Sequence, residues 1–491
     1  MHTKKLFLWV LAVSTCIRML FARIVPITGD EAYFIVWAKH LNWGYYEHPP
    51  MIGWVMWLFS FFGNDIFIYR IFPLIVIPLI AVMIVRLLME VDGDKAFLCG
   101  AIFLLSPVSV LNVLSVNDVP LIFFTFLSGV FFYRTLKSSR TFDAILSGVF
   151  FGCAFLSKYF AVLYGMALFI FCMMLRDKKV WKTFALFVMS SLPLIFINIA
   201  WNYQHCWLNV MFNLFYRNKE MHVDLSSMIV YLIEQVFLMT PALAVSFFKD
   251  KLFFNVHKKG NVFWYCFIIP FFFFFCLSLI KNVGLHWMVS FYPFFFLIIV
   301  SLPLNVLDKA LRHCFYLAML IMIIVVFVVA MPVETFRGLK KYPQIIMFLR
   351  PAELCEVVEK NLDGRIPAST GYTETSVLSY HCRKDFVLFG SLSRSGRYYD
   401  YVTDFRDFDG KNFLIVSLNE KDIEKFVIYF QNVSVKIVEI MGAKFYLING
   451  NHFIFNNYRD FYLRKISSMY YTPVRFLPAG RNFFMERYFS R

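Results

Sequence analysis

The chain has 491 residues, 60% of them hydrophobic and 20% aromatic, with 62 phenylalanines and a net charge of +16. A soluble domain is roughly half apolar, so this excess calls for a non-aqueous solvent and excludes an ordinary water-soluble globule. The basic balance does not mark a nucleic-acid binder, because Lys and Arg fall in short segments between apolar runs, as in the cytoplasmic loops of membrane proteins.

Lys4 and Lys5 precede an apolar run over 6–26. It reads as a first membrane helix rather than a cleaved leader, since no small-x-small site ends it and more spans follow. A hydrocarbon core of about 30 Å takes roughly 20 helical residues. Runs of that kind lie near 6–26, 66–89, 96–114, 119–136, 142–157, 159–176, 181–201, 227–248, 261–281, 285–304 and 311–332, which makes about eleven spans. The stretch 142–175 is too long for one helix and is divided at Ser157, Lys158 and Tyr159.

With a cytoplasmic N-terminus, the inner loops hold Lys4 and Lys5, Arg86 and Lys95, then Arg134, Lys137 and Arg140. They continue with Arg176, Lys178, Lys179 and Lys182, with Lys249, Lys251, Lys258 and Lys259, and with Lys309 and Arg312. The opposite loops carry only Arg23, Lys39, Arg70, Lys158, Arg217, Lys219 and Lys281. This is the positive-inside pattern, and an odd number of spans puts the C-terminal tail outside.

From 333 onward the texture becomes polar. Turn signals stand at Asp363-Gly364, Asp409-Gly410 and Asn449-Gly450, strand-like runs at 413–417, 433–440 and 444–448, and a helical pattern at 420–431. The expected architecture is an all-α polytopic membrane domain over 1–332, with a functional first outer loop at 27–65, and a C-terminal α/β extracytoplasmic domain over 333–491. The ten cysteines show no C-x-x-C or metal-type spacing; Cys355 and Cys382 would be able to pair if this tail lies outside the cytosol.

The unusual polar residues gather in the outer loops. The first carries Asp30 and Glu31, Lys39 and His40, then Tyr46, Glu47 and His48 before Pro49-Pro50. Asp118 closes the second, Lys158 and Tyr159 form the third, Asn202 and His205 open the fourth, and His286 lies in the last. Each has a plain reading: Asp30 and Glu31 as helix caps, Asp118 as a cap, Lys158 as a snorkelling cation, the Trp and Tyr residues as interfacial belts. Independent caps and snorkels have no reason to choose one face every time. Carboxylates and cations at helix ends on one face suit chemistry where a lipid-linked and a water-side substrate meet.

At these residues the sequence resembles the bacterial branch of the protein-mannosyltransferase-like, GT-C-fold glycosyltransferases that use polyprenyl-phosphate sugars, including those that decorate lipid A with aminoarabinose, galacturonic acid or galactosamine. The matching pieces are GDEAYFIVWAKHL, GYYEHPPMIGW, NDVPLIFFTFLSGVFF, FLSKYFAVL, INIAWNYQHCW and LHWMVSFYP, in family order, followed in the tail by GYTETSVLSYHCRKDFVLFG and SRSGRYYDY. The resemblance implies Asp30 at the catalytic centre with Glu31 beside it and Asp118 as a second acid. It implies His48, Glu47 and Lys158 at the carrier phosphate. His48 stands where the aminoarabinose branch has Lys, which resembles the hexosyl-transferring branch and would make phosphate neutralisation pH-dependent. Tyr46, Tyr159, Asn202, His205, His286 and Arg397, with Arg394 beside it, are candidates for holding substrate, and Glu47 and His205 for a divalent metal ion.

The implied reaction is attack by an acceptor oxygen on the anomeric carbon of an undecaprenyl-phosphate sugar. The polyprenyl phosphate leaves and the sugar inverts. The expected partners are the lipid-linked donor, lipid A or another envelope acceptor, and the bilayer of a bacterial inner membrane, with no nucleotide cofactor and no nucleic acid. A protein acceptor on the same fold is one alternative. A lipid-linked-sugar transporter is another, but transporters place charges in mid-membrane, where Glu234 is the main exception in spans nearly free of charge.

Overall fold

The computed structural model describes residues 2–218, 223–249, 260–474, 476–478 and 480–490; Lys219, Lys251, Lys258 and Lys259 of the loop-charge pattern lie outside them. The chain divides into two compact units, one of residues 1–25, 49–198 and 220–329, the other of 26–48, 199–219 and 330–491.

The first unit is helical. Among the described residues, five helices are long and apolar enough to cross a membrane: His2–Ile24, Ile66–Leu88, Asp118–Ser138, Lys178–Gln204 and Leu304–Ala330. Six shorter apolar helices accompany them: Met51–Ser60, Thr141–Ser157, Ala161–Leu175, Leu225–Met239, Val262–Ser278 and Tyr292–Ser301. The long apolar stretch breaks at Lys158, Tyr159 and Phe160, close to where the sequence divides it. The expected span 285–304 is divided into His286–Val289 and Tyr292–Ser301, and two others are interrupted at proline. Gly93–Leu105 stops at Ser106, whose extended backbone (φ −65°, ψ 153°) is what the following Pro107 demands. Leu225–Met239 ends at Thr240 (φ +70°), before Pro241 opens the next helix.

Helices in lipid gain little from hydrophobicity against one another, so they associate by close packing and interhelical hydrogen bonds. Both devices hold the helices around Thr141–Ser157 together. Ser128 Oγ donates to Ser147 O at 2.7 Å and Ser147 Oγ to Ser128 O at 2.8 Å, with Ser128 also reaching Tyr164 Oη at 3.1 Å. Gly148 lets the Thr141–Ser157 helix meet the main chain of Phe187 so closely that any Cβ would overlap it. Phenylalanines fill the remaining core, as where Phe294 stacks on Tyr164 at 5.8 Å and lies against Gly129.

The second unit holds a five-stranded sheet: β1 (Ile366–Ser369), β2 (Val387–Leu388), β3 (Phe413–Ser417), β4 (Phe430–Ile440) and β5 (Ala443–Phe453), in the order β2-β1-β3-β5-β4. β1 pairs in parallel with β2 and β3; β3–β5 and β4–β5 are antiparallel. Met441 and Gly442 both have positive φ and turn the β4–β5 hairpin in two residues. The expected turn at Asn449-Gly450 is instead strand interior. Gly450 pairs with Phe413 and Val433, and its missing Cβ leaves room for the Phe430 ring. The helical pattern at 420–431 yields only Asp422–Phe426 and a 3₁₀ turn, because Phe430 enters β4.

Cys355 and Cys382 are disulfide-bonded, joining helix Pro351–Leu362 to the C-cap of Tyr372–His381. Maleimide labelling of a variant that keeps these two cysteines and lacks the other eight should detect no thiol until reductant is added. Labelling without reductant would show the pair open.

Candidate functional site

In the second unit, helix Gly29–Lys39 starts with a capping box: Glu31 N donates to Thr28 Oγ1 at 3.3 Å, while Thr28 N and Oγ1 donate to Glu31 Oε2 at 3.1 Å. Thr28, not the Asp30-Glu31 pair, is the N-cap. Glu31, expected as a catalytic acid, is fully buried and directs its carboxylate into this cap. Asp30 is exposed on the same turn; burial raises the Tyr372 phenol, and the Asp30 charge adds to that.

One turn on, Tyr33 Oη donates to both Glu47 oxygens, at 3.2 and 3.0 Å, and itself accepts from Tyr398 N at 3.2 Å. Gly396 N donates to Glu47 Oε1 at 2.6 Å. Gly396 has φ +86°, and a Cβ there would overlap Tyr372, so this donor position admits only glycine. The main chain of this segment is clamped from helix Leu208–Leu214: Asn209 Nδ2 donates to the carbonyls of Tyr45 (2.9 Å) and Tyr46 (3.2 Å), and Asn213 Nδ2 to that of Glu47 (2.9 Å). Aromatic packing closes the sides, with Trp37 stacked on Tyr45 at 4.3 Å and Tyr33 on Tyr399 at 5.8 Å.

Burial pushes the Glu47 carboxyl up to about 7, opposed by the Gly396 and Tyr33 hydrogen bonds and the Arg397 charge. Arg397 is itself fully buried; Nη2 donates to Ser391 O at 2.8 Å and Nη1 lies 3.3 Å from Asp400, which also accepts from Tyr471 at 2.9 Å. The Tyr46 hydroxyl is buried without a hydrogen-bond partner among the described residues. His48 is half-buried beside Trp37, their rings 6.4 Å apart. Arg394 Nη1 donates to Tyr216 O at 3.3 Å. Asn202 Oδ1 accepts from Val210 N at 3.3 Å, and His205 stacks on Trp201 with Nδ1 2.8 Å from the Trp201 carbonyl.

Glu47 and His205, the candidate metal pair, are thus each engaged in other contacts. Among the described residues no group of three or more His, Cys, Asp or Glu is arranged to hold an ion.

In the first unit, Lys158 Nζ lies 2.7 Å from Asp118 Oδ1, both side chains almost wholly buried. Asp118 is in the first turn of its helix and Lys158 is the C-cap of Thr141–Ser157, so one contact joins two helix ends. Next to it Tyr159 Oη donates to Asn198 Oδ1 at 2.7 Å. His286 is exposed at the start of a short helix.

Sequence reasoning passed over Gly396, Asn209, Asn213, Asp400 and Tyr471. The two asparagines, four apart in an otherwise apolar helical run, are the one signal it could have used.

The fold, a unit of long apolar helices with a second, sheet-bearing unit, is of the GT-C type. Residues 47–201 match the family described as dolichyl-phosphate-mannose-protein mannosyltransferase. The chain is similar to the lipid A galacturonosyltransferase RgtD of Rhizobium johnstonii, 30% identical over 188 residues, 36% of this chain; it spans 38% of that relative's length. Its fold is that of ArnT from Cupriavidus metallidurans. The undecaprenyl-phosphate-bound crystal structure aligns with a TM-score of 0.65 at 13% identity, covering 90% of this chain and 97% of that one. The apo structure gives 0.66 at 14%, covering 91% and 98%.

Two predictions follow from the geometry. A carboxyl raised above its ordinary value is kept protonated by the fold. Its stabilising contribution is therefore complete below the ordinary carboxylate range and is lost as pH rises through about 7. Thermal unfolding should fall by a few degrees between pH 5 and 8 in the wild type and stay flatter in Glu47→Gln. Breaking a buried ion pair costs about 3–5 kcal/mol, more than removing both partners. Lys158→Met should therefore be less stable than Asp118→Asn/Lys158→Met in a denaturation series; equal stability would show the pair contributes nothing.

Proposed function

We propose that this chain is an integral-membrane glycosyltransferase that moves a sugar from a polyprenyl-phosphate carrier to an extracytoplasmic acceptor, lipid A or another envelope glycolipid. The observation that carries this reading is the Glu47 carboxyl, built into the Gly44–Pro50 segment by Tyr33, Gly396 and Asn213, within a GT-C fold. The similarity to RgtD supports the acceptor class.

The membrane part has about eleven spans, with the N-terminus in the cytoplasm and the sheet-bearing unit outside. The loop-charge asymmetry supports this orientation, and so does the disulfide, which persists in an oxidising compartment.

Asp30, exposed on the first turn of its helix, takes the proton of an acceptor hydroxyl, or orients an acceptor phosphate that is already anionic; Glu31 fixes that turn. The acceptor oxygen forms its bond to the anomeric carbon as the bond from that carbon to the phosphate oxygen breaks. The electron pair leaves with the polyprenyl phosphate. His48 and Lys158 neutralise it, Asp118 orients Lys158, and Glu47 anchors the segment that carries His48. Tyr46, whose hydroxyl lacks a partner among the described residues, offers a hydrogen bond to the sugar or phosphate, and Arg397 supplies positive potential behind it. Tyr159, Asn202, His205 and His286 complete the candidate lining.

The test is a transfer assay in detergent-solubilised membranes, offering radiolabelled undecaprenyl-phosphate sugars and lipid A. Asp30→Asn should lower transfer on the order of 10²-fold or more, with membrane insertion unchanged. Equal transfer by both forms would remove Asp30 from the chemistry, and labelling of protein instead of lipid A would change the acceptor class.

A further inference from the structure

Two helix ends that the transfer chemistry does not use frame a charged groove in the first unit. Met83 and Arg86, in the last turns of Ile71–Leu88, and Glu90 just past them follow at helical spacing along one side. Leu127, Phe131, Arg134 and Lys137 do the same on Asp118–Ser138. Both rows line one groove of about 420 Å³. Each row runs from apolar residues to charged ones toward its C-terminus, and Leu127 to Arg134 is about 10 Å along the axis. The groove therefore joins a charged mouth to an apolar floor.

Its three cations reach solvent. The Arg134 side chain is 47% and the Lys137 side chain 50% exposed, and Arg86 is exposed as well. Two of them are held in place: Arg134 Nη2 lies 3.5 Å from Asp143 Oδ1 and its guanidinium 5.1 Å above the Phe131 ring, while Lys137 Nζ lies 2.6 Å from Glu90 Oε2 and 5.0 Å above the Tyr133 ring. Arg86 makes no ion pair or hydrogen bond among the described residues. Glu90 is the one acid in the lining, so the mouth is positive. Cations in a last helical turn also answer the helix dipole, and inner loops are basic in membrane proteins generally. Neither effect accounts for a cavity that sets exposed cations above apolar walls.

We propose that this groove binds an anionic phospholipid of the leaflet that the loop charges place on the cytoplasmic side. Its phosphate lies among Arg86, Arg134 and Lys137, and the start of an acyl chain lies against Met83, Leu127 and Phe131. Charge and shape agree on this occupant. A guanidinium fork suits two phosphate oxygens, and a single contact to Asp143 leaves most of the Arg134 donors for it. A positive pocket between membrane helices at the cytoplasmic end favours a headgroup with net negative charge over a zwitterionic one. A soluble phosphate would use the mouth alone and leave the apolar floor uncovered.

The experiment uses the purified, delipidated full chain in detergent. It is titrated with dioleoylphosphatidylglycerol or dioleoylphosphatidylcholine, and bound lipid is counted by native mass spectrometry. The wild type should retain phosphatidylglycerol about tenfold better than phosphatidylcholine. Arg86 has no partner to lose, so Arg86→Gln should fold and cut that preference about fivefold, while Arg86→Lys keeps most of it. Leu127→Trp, which fills the apolar end and leaves every cation in place, should lower retention of phosphatidylglycerol. Lys178→Gln, at an exposed cation of another inner loop, should change nothing. Unchanged retention in either Arg86→Gln or Leu127→Trp overturns the proposal. An equal loss in Lys178→Gln also overturns it, since that would mean a basic surface without a site. Full displacement of the lipid by glycerol phosphate would reduce the ligand to a free phosphate and overturns it as well.

Discussion

Burial of the Glu47 carboxyl is the constraint around which the second unit is organised. A carboxylate taken out of water costs several kcal/mol unless hydrogen bonds or charge compensate. Here the compensation comes from chain segments far apart in sequence: Tyr33 in the first helix of the unit, Asn213 holding the main chain from 199–219, and Gly396 and Arg397 from the tail. Each donor depends on a local device. The Thr28–Glu31 box starts the helix that presents Tyr33, and the positive φ of Gly396 aims its N–H. The hydrogen bonds to this carboxyl and its main chain thus come from all three stretches of the unit.

The membrane-type unit treats charge differently. Asp118 and Lys158 neutralise each other across two helix ends, 2.7 Å apart. Removing either partner would leave a bare ion in an apolar setting, which is why such a pair is stable in place yet fragile to substitution. Among the described residues Glu47 has no ion-pair partner within 4 Å and is held by neutral donors, so its charge can change while the frame around it stays intact.

Much of this was legible in the sequence, and the reasons are specific. Apolar runs and loop charges locate helices because hydropathy acts locally, and Lys158 visibly divides a run too long for one helix. Pro107 and Pro241 cut two runs that hydropathy alone joins, a backbone effect invisible to composition. Asn449-Gly450 carries a turn signal, yet the strand continues through it, because cross-strand pairing and the Phe430 ring decide what a glycine is for. The motif GYYEHPP drew attention to Glu47, but nothing local says that Tyr33, Asn213 and Gly396 will surround it. Those contacts arise only when remote segments fold together.

The direction of the carboxyl shifts in the second unit has a chemical consequence. Glu47 and Glu374 are both pushed up by burial, Glu47 to about 7, so each holds its proton to higher pH than an exposed carboxyl would. A fixed carboxylate would repel a phosphate-bearing substrate of the kind proposed. A carboxyl poised at about 7 does not, because an approaching anion raises it further and the group takes up a proton. Burial therefore does two jobs with one side chain: protonated, Glu47 tolerates an anion nearby, and in either state its hydrogen bonds keep the 44–50 segment in place.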